Sequence, residues 1–178
     1  MPGNTLRGTK RFLVACTLCA TLAACGFQLR GVGNNLTVIP DDWKNMALST
    51  PNPNGELSRD VVNRFTANGV EWIDRKDARY ILNLSNERFT QRNLSLNSEA
   101  RAAEFELTLS AEFSVRDDNG EVMQPTTASV VKTMENDPRN VTGKSEEIRL
   151  LRGEMRVELA QQILRRVGFF AASQEGDL

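Results

Sequence analysis

Residues 103–115 read Ala-Glu-Phe-Glu-Leu-Thr-Leu-Ser-Ala-Glu-Phe-Ser-Val. Apolar side chains fall on every odd position, from Ala103 through Phe105, Leu107, Leu109, Ala111 and Phe113 to Val115. Glu104, Glu106, Thr108, Ser110, Glu112 and Ser114 take the even ones. Successive strand residues point to opposite faces, so this period describes a β-strand with one buried and one wet face. Asp117-Asp118-Asn119-Gly120 follows, and Asn-Gly tolerates the positive φ angles of a tight hairpin. The chain is therefore expected to return over Val122–Met134 as an antiparallel partner. Pro125 is expected at a bulge or on an edge of that strand, because it has no N–H to donate to a ladder.

Upstream, Tyr80, Leu82 and Leu84 alternate with Ile81, Asn83 and Ser85. This predicts another strand, extending through Phe89 towards Leu96, with a turn at Asn97-Ser98-Glu99. Further upstream, Leu57, Val61, Val62 and Phe65 form a helical stripe, and Asn68-Gly69 supplies a stop, so a helix is expected over 57–68. Before it, 44–50 is the better of two candidates for the first strand; the other starts at Leu36 and is closed by Pro40. At the far end, Ile148, Leu151, Met155, Leu159, Ile163 and Val167 mark a long amphipathic helix. Ser145 is its expected N-cap, Glu146 and Glu147 suit the positive end of its dipole, and Gly168 is the expected stop. Leu150, Val157 and Leu164 lie seven apart beside the stripe, either widening the core face or forming a second surface.

The expected order is β-α-β-β-β-α. It describes an α+β fold, a two-layer sandwich of a four-stranded, mostly antiparallel sheet with two helices. The helix crossover allows the first strand to run parallel to its neighbour.

The N-terminus has a different character. Arg7, Lys10 and Arg11 precede an apolar run from Phe12 to Leu22, and no acidic residue precedes Cys25. The run is shorter than the ~20 apolar residues of a membrane-spanning helix and has the length of a signal-peptide core. Leu22-Ala23-Ala24-Cys25 resembles a bacterial lipobox. The resemblance implies cleavage before Cys25 and diacylglycerol on its thiol. Two or more acyl chains hold a protein firmly on a membrane. Gly26, rather than Asp, follows the cysteine and favours the outer membrane. Residues 1–24 are thus read as the export signal, 25–35 as a lipidated leader, 36–172 as the folded domain and 173–178 as a flexible tail.

Composition narrows the functional classes. The chain has three cysteines and no histidine. Cys16 and Cys19 leave with the signal and Cys25 is lipidated, so the mature domain must fold without an internal disulfide. Removing the three signal cations leaves 19 basic against 23 acidic residues, a net charge near −4, which argues against general nucleic-acid binding. Without histidine or a free thiol, no Ser/His or Cys/His catalytic pair is available. No metal set and no cofactor motif is recognised either, so an enzyme is not expected.

Cys25-Gly-Phe-Gln-Leu-Arg-Gly31, Pro53-Asn-Gly-Glu-Leu-Ser-Arg59, Asn68-Gly-Val70, Ala103-Glu104-Phe105 and Asn136-Asp-Pro138 together resemble the LptE family of lipopolysaccharide-assembly lipoproteins. The resemblance implies two helices on a four-stranded sheet. It also implies a plug seated in the outer-membrane β-barrel LptD, which assists barrel assembly and binds lipopolysaccharide during its delivery to the cell surface. The phosphates of lipid A call for cations on loop ends. The candidates are Arg92 and Arg101 about the second-to-third strand connection, and Arg139 and Lys144 before the last helix. Lys144 matches the family position best. The family's first-loop cation falls near Ser98, so Arg101 is displaced from it. The polar even face of 103–115 suits a polar barrel lumen. The rival reading is a lipoprotein adaptor for another outer-membrane barrel or an efflux complex.

Cys25→Ser is expected to leave the chain unprocessed or soluble when it is expressed without a barrel partner, because nothing else in the sequence anchors it. Membrane flotation with the chain's size read alongside checks this, and flotation of a cleaved variant with the membrane fraction would contradict it.

Overall fold

The computed structural model describes residues 39–96, 102–136 and 141–175. The first strand, β1 (Asn45–Ser49), leads through a loop into helix α1 (Glu56–Thr66). Strands β2 (Glu71–Trp72), β3 (Tyr80–Leu84), β4 (Arg88–Leu96), β5 (Ala102–Asp117) and β6 (Gly120–Glu135) follow. Helix α2 (Val141–Glu175) ends the fold.

The alternating segment organises the sheet, as its pattern predicts. One side of β5 pairs with β6 along nearly its whole length, from Glu104↔Glu135 to Asp117↔Gly120. Its other side is shared: β4 pairs with its first half and β3 with its second, both antiparallel. β1 lies parallel to β3, and β2 parallel to β1. The parallel first strand is as expected from the helix crossover. Pro125 sits where the β5–β6 register slips, between Phe113↔Thr126 and Val115↔Met123. Because β6 is also an edge strand, both conditions that admit proline are met.

The fold class is the expected α+β, but the sheet has six strands rather than four. Two local causes account for the difference. The segment 80–96 is not one strand: it breaks at Ser85–Glu87, and both halves keep their place on the same side of β5. The other addition is β2. After α1, Gly69 adopts φ +88°, a conformation that costs glycine little. The chain reverses there, and Glu71 and Trp72 fall beside β1.

The core is the odd face of β5. Phe105, Leu107, Leu109, Phe113 and Val115 are buried against Leu57, Val61 and Phe65 of α1 and Met155, Leu159, Ile163 and Val167 of α2. On the opposite face, Ala47 and Ile81 make a small second cluster with Ile73 and Ala78.

Helix α1 closes on its expected stop, but α2 is longer than its pattern suggested. Ser145 is not a cap, since the helix already begins at Val141, and Gly168 lies inside it. The reason is apolar contact past the glycine. Ala171 is fully buried, and the Phe170 ring meets Trp43 edge-on at 5.9 Å, while Trp43 stacks on Tyr80 at 3.8 Å. That burial outweighs the cost of ~1 kcal/mol for glycine in a helix interior. Ser173, Gln174 and Glu175 accordingly belong to the helix, not to a loose tail. The seven-spaced trio divides: Leu164 is fully buried, whereas Leu150 and Val157 are 55% and 43% exposed.

Candidate functional site

The sharpest electrostatic feature of the molecule lies where the sheet edge is broken. At Ser85 the chain keeps its tie to β5 by two means. Its amide donates to the Glu112 carbonyl at 2.9 Å, and its Oγ accepts from the Glu112 amide at 2.9 Å. Two residues later Glu87 turns towards α2. There Arg156 donates from Nε to Glu87 Oε2 at 2.7 Å and from Nη2 to Oε1 at 2.9 Å. Arg152 reaches Oε1 from Nε at 3.1 Å and also from Nη2. The third nitrogen of Arg156, Nη1, pairs at 2.7 Å with Glu56, the first residue of α1. One guanidinium, with a side chain only 10% exposed, therefore ties together the strand break, the start of α1 and the middle of α2.

Helix periodicity explains how two arginines meet one carboxylate. Residues 152 and 156 are one turn apart and share a face. The Arg152 guanidinium also lies 5.0 Å from the centroid of Phe89, just beyond the break. Burial pushes the Glu87 carboxyl up, but the hydrogen bonds and charges of Arg156 and Arg152 outweigh burial and hold it below its ordinary value. Asp60, one turn into α1, moves the other way: burial raises it, Arg156 pulls it down, and the neighbouring charge of Glu56 adds to the rise.

Above this cluster is an open polar cleft of about 580 Å³, bounded by the 50–58 segment on one side and by Ser85–Glu87, Arg152 and Arg156 on the other. Its two cations are met by two carboxylates, so it offers no surplus positive charge to a phosphate. Those carboxylates are in turn committed to guanidinium hydrogen bonds, so neither is poised as a general base. No group of residues suited to a metal occurs among the described residues. No described helix is long and apolar enough to cross a membrane.

The cations expected at lipid A are elsewhere. Lys144 is in the first turns of α2, half-buried, with its ammonium 3.9 Å from the Phe105 ring centroid and donating to Asn136 Oδ1 at 2.9 Å. Arg92 stands on β4 and makes a two-pronged pair with Glu106, Nε–Oε1 at 2.6 Å and Nη2–Oε2 at 2.8 Å. Phe105 and Glu106 are successive residues of one strand, so Lys144 and Arg92 lie on opposite faces of the sheet. The structure does not bring these two together. Arg101 and Arg139 lie outside the described residues, as does Cys25. The described strand ends nearest to them in sequence share one end of the sheet, since Leu96↔Ala102 and Glu104↔Glu135 are neighbouring pairs.

The chain matches the family profile LptE, lipopolysaccharide-assembly, over residues 43–167. The chain belongs to the LptE family. It is 30% identical over 156 residues to the LPS-assembly lipoprotein LptE of Pectobacterium atrosepticum, a match that covers 86% of this chain and 82% of that one. A second LptE, from Yersinia pestis, is 30% identical over 148 residues, covering 82% of this chain and 69% of its own. Among solved structures, rare lipoprotein B of Shewanella oneidensis superposes with a TM-score of 0.67 at 31% identity, covering 74% of this chain and 98% of that one. This LptE-family chain thus shares its fold with a lipoprotein over nearly that protein's full length.

Sequence reading missed the Glu87–Arg152–Arg156–Glu56 cluster. Its one legible trace is the pair of arginines four apart on the last helix, because Glu87 lies more than sixty residues from either. Glu87→Gln keeps the size of the side chain and loses its charge. The expected cost is about 2 kcal/mol at neutral pH, since a buried guanidinium loses charge-assisted bonds. The sign with pH follows from the lowered carboxyl. The contribution of Glu87 is fully present above the ordinary glutamate value of 4.5 and is lost as pH falls through its lower folded value. Urea unfolding of both proteins at several pH values checks this: the gap between them should shrink only below that ordinary value. A constant gap down to pH 2–3 would contradict the assignment.

Proposed function

We propose that this chain is an outer-membrane lipoprotein, anchored through lipid on Cys25, that serves as plug and assembly partner of an LptD-like β-barrel and helps deliver lipopolysaccharide to the cell surface. Membership of the lipopolysaccharide-assembly family, over residues 43–167, is the observation that carries this reading. The surface of the domain is compatible with it. The even face of β5 is polar and has polar neighbours in Thr90 and Arg92 on β4 and in Ser129 and Thr133 on β6, with the exposed Val131 the apolar one among them. A barrel lumen is a polar surrounding of the same kind.

In this reading lipopolysaccharide meets the end of the sheet where 97–101 and 137–140 connect the strands and α2. Lys144 is placed at the start of α2 beside that end, and Asn136 engages only one of its three donors in the bond described above. A lipid A phosphate taking another donor would be joined by Arg101 and Arg139 from the two connections. Arg92, held by Glu106 on the opposite face, contributes least.

The test is affinity purification of the tagged full-length chain from detergent-solubilised outer membranes. A large β-barrel in one-to-one amount, with lipopolysaccharide, is expected. Lys144→Gln should keep the barrel but retain severalfold less lipopolysaccharide. Its folding stability should change by only about 1 kcal/mol, the scale of one lost cation–π contact. Recovery of the chain alone, or with an unrelated partner, would overturn the reading.

A further inference from the structure

The stretch Pro53–Arg59, one of those that carry the family resemblance, has no part in the reading above. Its residues Asn54–Ser58 form much of one wall of the open cleft of about 580 Å³ beside α2. Helix α1 starts there at Glu56, and its N-cap is Gly55, which has no side chain to cap it. The Arg59 amide is the first of the turn with an acceptor, donating to the Gly55 carbonyl at 3.1 Å. The amides of Glu56, Leu57 and Ser58 have no acceptor among the described residues, and all three residues line the cleft.

Gly55 has a second effect. A Cβ there would fall 2.7 Å from Asn52 Nδ2 and 2.9 Å from Asn52 Cγ, so the glycine makes the room in which the Asn52 amide lies beside the helix start. The side-chain amides of Asn52, Asn54 and Asn86, all lining the cleft, make no hydrogen bond among the described residues. Each supplies a carbonyl acceptor and two N–H donors. Charge then narrows the ligand. Four charged residues line the cleft, Arg152 and Arg156 against Glu56 and Glu87, and they are paired with each other. A phosphate at the helix start meets the two carboxylates, and a cation meets the two guanidiniums. Ligand clefts of ~300–1,000 Å³ are mostly apolar with a few polar groups. Here Leu57 is the one lining residue with a large apolar side chain. A neutral ligand covered in hydroxyls suits such a lining, because each hydroxyl accepts from an N–H and donates to an amide oxygen.

We propose that this cleft binds a saccharide, with Asn52 and Asn86 on opposite walls each holding ring hydroxyls and the N–H groups of Glu56–Ser58 donating to its oxygens. The inference rests on the proposed function only for the source of the sugar. Arg152 follows Lys144 along α2 by about two turns, or ~12 Å. Both stand on the helix side of the sheet, Arg152 over Phe89 and Lys144 over Phe105. A glycolipid whose phosphate meets Lys144 can therefore lay its sugar chain towards the cleft.

The experiment is a titration of the tagged full-length chain, held in a detergent without a sugar head group, followed through the side-chain amide NMR signals of Asn52, Asn54 and Asn86. The probe is oligosaccharide from lipopolysaccharide, stripped of acyl chains and phosphate, with maltotriose and inorganic phosphate run in parallel. The three signals are expected to shift together and saturate with the lipopolysaccharide sugar. Asn86→Ala should weaken that binding about fivefold, the measure of one lost hydrogen bond, with thermal melting unchanged. Response to that sugar and not to maltotriose supports the glycolipid as source; equal response to both keeps the saccharide site and overturns the glycolipid as its source. Response to phosphate with none to either sugar would overturn the saccharide. Signals unmoved by both sugars at millimolar concentration would overturn the site, and lipopolysaccharide still retained through Lys144 would then leave the proposed function standing.

Discussion

Strand β5 hydrogen-bonds to β3 and β4 along one side and to β6 along the other, and both helices come to rest on its apolar face. Each of its fully buried large side chains, such as Leu107, Leu109 and Phe113, contributes about 1.5–3 kcal/mol through removal from water. With no cysteine after Cys25, residues 26–178 have no internal disulfide to limit their unfolded state, so this apolar face must supply what a cross-link would otherwise add. The same alternation that fills the core obliges the even positions to be polar. One strand therefore both builds the core and sets the character of the open face.

The Glu87 cluster answers a problem that β5 creates. A sixteen-residue strand is longer than β3, so a second segment must cover the rest of its side, and the chain between the two has to leave the ladder. Ser85 repairs the backbone pairing there, and Glu87 converts the break into an attachment point for α1 and α2. A buried ion pair of this kind adds less net stability than its short distances suggest, because desolvation offsets attraction; its main effect is to make any other arrangement costly.

What the sequence made legible follows from which signals are local. The alternation of 103–115, the Asn119-Gly120 hairpin and the stripe on α1 are set by neighbours within a few residues, and they appear as expected. Gly168 reads locally as a stop, but its helix continues because Phe170 and Ala171 find Trp43 and the core, a contact with residues more than a hundred positions away. The break at 85–87 falls in the polar run Ser85-Asn86-Glu87-Arg88, but the groups that fix it, Arg152 and Arg156, lie more than sixty positions away. Among the candidate cations, Lys144 lies within the first turns of α2, with its ammonium over the Phe105 ring, a placement that depends on the helix starting at Val141. The pairing of Arg92 with Glu106 depends on a cross-strand register that single-chain periodicity does not specify. Arg152 and Arg156 stand four apart on α2, but nothing local points to Glu87 as their shared carboxylate.

Together these features describe a domain that buries its large apolar side chains against the odd face of β5, leaves the even face polar and carries Lys144 near the start of α2. In the role we propose, the polar face would meet a barrel and Lys144 a phosphorylated lipid. The most direct measurement of that account is the appearance of newly made lipopolysaccharide at the cell surface after the chain is depleted from its own bacterium. The account predicts that surface lipopolysaccharide falls and that the lipid accumulates inside the envelope. Undiminished surface delivery in depleted cells would contradict it.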